Sequence, residues 1–125
     1  MKRLMLCAAI ALIMFSAAVS NAFRTERVTG ETISELKMIS GLFSDGYTRQ
    51  AAELAEETLK SWESFCADSI FLTDRERALE ISLALIRINA MLYAGDDDVS
   101  EECAAAAILT GEYRDNQRPL PKNLF

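Results

Sequence analysis

The side chains able to do chemistry in this 125-residue chain are carboxylates and thiols, because it contains no histidine. That absence removes the commonest general base and metal ligand. Five carboxylates crowd one short stretch: Asp96, Asp97, Asp98, Glu101 and Glu102. A calcium loop built on them would need a glycine at its sixth position and a bidentate glutamate at its twelfth, where Glu101 and Ala107 stand. Acidic side chains at a helix N-terminus also complement the helix dipole with no ion present. Capping and solvation are therefore the expected role of this cluster.

The three cysteines are Cys7, Cys66 and Cys103. Cys7 falls in an apolar segment. In an up-down-up arrangement the helices carrying Cys66 and Cys103 are parallel, with the two thiols staggered by roughly 20 Å at about 1.5 Å per residue. A disulfide needs Cα atoms within about 7 Å. Both are expected as small apolar residues on core stripes. Two thiols do not complete a tetrahedral zinc site, and no Gly-rich phosphate loop, nucleophile elbow or Cys-x-x-Cys pair occurs. Glu53, Glu56, Glu57, Lys60 and Glu63 form a solvated helix face with no apolar pocket to raise a carboxyl pKa. The expectation is a protein with no catalytic, cofactor-binding or metal-binding residues, and so not an enzyme. What remains are contact residues. Trp62 is a candidate partner anchor, although its spacing from Phe65 and Cys66 also suits a core position. Leu120, Leu124 and Phe125 offer a second apolar surface, unless the tail folds back on the body.

Positioning any of these falls to a chain whose first 23 residues differ from the rest. Lys2 and Arg3 precede Leu4 to Phe23, 20 residues without a charge. As helix they would measure roughly 30 Å, the thickness of a hydrocarbon core. Residues 4–23 are thus expected to meet a membrane as a single-pass anchor. A cleaved signal peptide fits as well, with Ser20-Asn21-Ala22 as a small-x-small site. Lys2 and Arg3 place the N-terminus in the cytoplasm and the body outside it, while Arg24 and Arg27 leave the positive-inside balance nearly even. Cleavage would make the body a secreted domain.

The whole chain carries 13 basic and 19 acidic residues, a net charge of −6. Nucleic acid is excluded as a partner on that ground. Periodicity beyond Arg24 is helical throughout, predicting an all-α fold: the membrane segment, then a small antiparallel bundle or hairpin of three to four helices. The organisation reads as an anchor or signal over 1–23, a juxtamembrane linker and short helix over 24–43, a bundle over 44–116 and a tail over 117–125. Gly30 loosens the linker, and the short helix spans 32–43 with Ile33, Leu36, Ile39, Leu42 and Phe43 near one face. After the turn at Ser44-Asp45-Gly46 a long helix runs to about Phe71, carrying Tyr47, Ala51, Leu54, Ala55, Leu59, Trp62, Phe65, Cys66 and Ile70 inward. Thr73 and Glu76 have capping-box spacing and start a third helix. That helix is apolar on most sides, through Leu79, Leu83 and Ile86 as well as Ile81, Leu85 and Ile88, as a helix packed between two others would be. Asn89 interrupts it, at a polar edge or as a buried register-setting amide. Gly95 stops it, and a fourth helix places Val99, Cys103, Ala106, Thr110 and Tyr113 inward.

This order of features resembles a bacterial domain-of-unknown-function family. The resemblance rests on Ser44-Asp45-Gly46-Tyr47 with Ala51, on Trp62, on the capped third helix with Gly95-Asp96, and on the closing Leu120-Pro121-Lys122-Asn123-Leu124-Phe125. It spans nearly the whole chain and implies an N-terminal membrane helix followed by an α-helical hairpin. The chain departs from the pattern where Thr73 and Asp74 stand in place of an expected histidine. No activity comes with the resemblance. The functional expectation is an exported, membrane-tethered helical protein serving as a protein-interaction or spacer module with an unidentified protein partner. The alternative is a secreted helical domain binding a lipid or apolar ligand in a cavity between the second and third helices.

Overall fold

The computed structural model describes residues 1–68 and 75–117, and every regular element among them is helical. The order is α1 (Lys2–Ser44), α2 (Thr48–Asp68), α3 (Arg75–Ala94) and α4 (Val99–Gln117). The capping box at Thr73, with Ile70 and Phe71, lies outside the described residues.

The first element corrects the expected linker. α1 is one uninterrupted helix of 43 residues, so Gly30 and Gly41 neither break nor loosen it. An interior glycine costs about 1 kcal/mol relative to alanine. Packing outweighs that cost here, because Thr25, Thr29, Thr32, Leu36 and Ile39 recur on one face and are all buried against the bundle. The three threonines suit this position because each hydroxyl donates back into its own helix: Thr25 to the Asn21 carbonyl at 2.8 Å, Thr29 to Thr25 at 2.7 Å and Thr32 to Val28 at 2.8 Å. Each buried hydroxyl is thereby satisfied without a partner from another helix.

α1 packs on α2 and α4, and α3 also packs on both, which closes a four-cornered ring with α1 diagonal to α3. Consecutive helices run antiparallel, as the pairs Thr58–Glu35, Asn89–Ala55 and Arg87–Glu102 require. The two turns at the far end are built alike. Gly46 (φ +89°) and Gly95 (φ +68°) adopt the left-handed conformation. The amides after them reach back to Leu42 (2.8 Å) and Met91 (3.0 Å), capping α1 and α3 in the same manner.

The core fills the ring's interior. Leu36, Ile39, Ala51, Ala55, Ile81, Leu85, Ile88, Val99 and Cys103 occupy it, with the bulk of Trp62, Phe65 and Tyr113 toward the end nearer the apolar segment. Two expected core assignments change. Tyr47 precedes α2 and is exposed. Leu79, Leu83 and Ile86 point away from the core, because in a four-helix ring each helix has two neighbours and an outer side that no other described helix covers.

Candidate functional site

Trp62, the sequence's candidate anchor, is not on the surface. Its side chain has no exposed area. The indole packs against Phe65 (ring centroids 5.3 Å apart) and edge-on to Tyr113 (5.7 Å). Its Nε1–H donates to Ser82 Oγ at 3.1 Å, with the Ala78 carbonyl at 3.3 Å, which satisfies the buried donor from α3. Trp62 is therefore a core residue that ties α2 to α3 and α4. Leu120, Leu124 and Phe125 lie outside the described residues.

Polar contacts join α1 to α2, α2 to α3 and α3 to α4. Thr58 Oγ1 donates to Glu35 Oε2 at 2.6 Å between α2 and α1. Asn89 is half-buried and donates its amide to the Ala55 carbonyl at 3.2 Å, so it is both at the seam's edge and engaged across it. Arg24 meets Asp68 at 3.3 Å and lies 5.7 Å from the centre of the Phe65 ring, holding α1 to the end of α2. Arg87 pairs with Glu102 at 3.3 Å and Arg77 with Glu112 at 3.8 Å between α3 and α4.

The acidic cluster is spread along a helix start. Asp96 Oδ1 accepts the Asp98 amide at 3.0 Å, and Glu102 is committed to Arg87. Among the described residues no three His, Cys, Asp or Glu side chains gather closely enough to hold a metal ion. Cys66 and Cys103 are free thiols, half-buried and buried respectively. Burial pushes the Cys103 thiol up to about 11, with Glu102 adding to the effect, and burial and Glu63 push Cys66 up as well. Both move away from the thiolate that a nucleophile requires.

Two further surface features accompany the exposed side of α3. A largely apolar groove of about 390 Å³ runs between α1 and α4, lined by Leu36, Ser40, Cys103, Ala107 and Ile108 among others. The second feature is the apolar start of α1. Leu4, Leu12, Ile13 and Phe15 are each more than half exposed, and α1 is long and apolar enough there to cross a membrane, with none of that stretch buried in the protein. The chain matches no protein-family model, no curated protein and no solved structure.

Proposed function

We propose that this protein is an exported, membrane-tethered helical module with no enzymatic activity, presenting a rigid four-helix body to a protein partner at the membrane surface. The observation that carries the reading is the continuity of α1, whose apolar start and buried Thr25–Ile39 face belong to one helix. A helix cannot bend freely between them, so anchor and body move together. Ser20-Asn21-Ala22 lie inside that helix, with Asn21 and Ala22 half-buried, and this supports retention of the segment over its removal. Lys2 and Arg3 support a cytoplasmic N-terminus with the body outside. The raised Cys66 and Cys103 thiols, with Asp96 used in a cap and Asp68, Glu102 and Glu112 in ion pairs between helices, support a binding role over catalysis.

The test is the intact mass of the native protein combined with alkaline extraction of membranes. The expected result is a full-length species retaining residues 1–22 that stays in the membrane pellet. A soluble species beginning at Phe23 overturns the tether and turns attention to the groove between α1 and α4 as a site for an apolar ligand.

A further inference from the structure

The outer side of α3 is apolar from Leu79 to Tyr93. Leu79, Leu83, Ile86, Ala90 and Tyr93 follow one another at steps of four and three residues, and all five are exposed. Such spacing is the seam of a helix that pairs with another helix. Its heptad register puts Leu83 and Ala90 at a positions and Leu79, Ile86 and Tyr93 at d. Arg75 then stands at a g position and Glu80 at the e position five residues on. In a parallel pair each g residue faces the partner's following e residue. Arg75 of each chain would therefore meet Glu80 of the other, twice by symmetry.

We propose that the partner on this face is a second copy of the chain, with the two α3 helices side by side and parallel. The proposal rests on the membrane-tethered reading above, because two copies inserted the same way have α3 pointing the same way. Restriction to one membrane also raises the effective concentration of the second copy. An antiparallel pair could set Glu80 against Arg87, but Arg87 is held by Glu102 at 3.3 Å, and the two anchors would then point in opposite directions. Glu76, at the a position before Leu83, meets its own copy at the first turn of α3, with both Arg75 side chains adjacent.

The experiment is disulfide trapping of the full chain in its native membranes, with Ala90→Cys introduced into a Cys7→Ala parent. A parallel pair brings the two residue-90 positions within disulfide reach. The expected result is an oxidant-dependent covalent dimer above the parent's background. It is lost in Leu83→Glu, an exposed position whose change leaves the helical signal intact. Arg75→Glu weakens trapping, and adding Glu80→Arg restores it. No dimer through Ala90→Cys overturns the proposal, as does trapping only between Leu79→Cys and Ala90→Cys chains, which marks an antiparallel pair. Intact mass of the same samples separates the two readings. A dimer retaining residues 1–22 upholds both, a dimer beginning at Phe23 upholds the pairing and overturns the tether, and an anchored monomer overturns the pairing alone.

Discussion

The two halves of α1 share one backbone and differ in everything that surrounds it. From Leu4 to Phe15 the side chains are apolar and exposed, whereas from Thr25 to Ile39 a single stripe is buried and three of its five members are threonines. The more apolar half buries nothing inside the protein, and the more polar half carries one wall of the core. Hydropathy therefore reports the solvent a segment tolerates, lipid or water. Burial within the fold depends on which residues repeat at the helix period.

If the body half is held by packing and the apolar half is not, removing the largest core side chain should separate them most sharply. Trp62→Ala is expected to destabilise the body by about 3–5 kcal/mol in urea unfolding, since it opens a cavity and leaves Ser82 without its donor. Phe15→Ala in the apolar half is expected to leave the same transition unchanged. Equal losses from both would break the distinction.

Alkaline pH is expected to have a smaller effect, again confined to the body. Cys103 has its folded pKa raised to about 11 from an ordinary 9.0, so the folded state favours the neutral thiol. Stability is fully present below pH 9 and falls as the pH rises toward 11, by about 1.4 kcal/mol per unit. Unfolding midpoints at pH 7 and pH 10 should show that loss, and Cys103→Ala should reduce it, leaving the part that the raised Cys66 thiol contributes.

The smallest expected effect lies at the junction. Gly30 is helical and an added Cβ would meet nothing within 4 Å. Gly30→Ala should therefore stabilise the body by about 0.5–1 kcal/mol, read as a raised Tm. A destabilisation would mean that the two halves need a flexible joint, and α1 would no longer count as one rigid unit.

Much of this architecture was legible from residue patterns. Gly46 and Gly95 announced the two turns, Ala51, Ala55, Trp62 and Phe65 the inner face of α2, and Val99, Cys103, Ala106, Thr110 and Tyr113 that of α4. The linker expected at Gly30 does not form: a glycine taken alone suggests weak helix, whereas the packed stripe around it decides the outcome. The signal that could have found the continuous helix was the recurrence of Thr25, Thr29, Thr32, Leu36 and Ile39 at steps of four and three. Trp62 was ambiguous because an aromatic at helical spacing serves a core or an interface equally well. The Ser82 hydroxyl and the Tyr113 ring that settle its place lie 20 and 51 positions away along the chain.

By itself the sequence determined the helical class, the apolar start of the chain, the turn positions and the absence of histidine chemistry, because each of these follows from local residue types and their period. Only the tertiary structure decided that α1 passes unbroken from the apolar segment into the core, that Trp62 is enclosed, and that among the described helices none covers the apolar outer side of α3. Those outcomes depend on which helices become neighbours. A residue pattern specifies that a face must be covered, but which face is left bare follows from closing four helices into a ring, where each has two neighbours and an outer side.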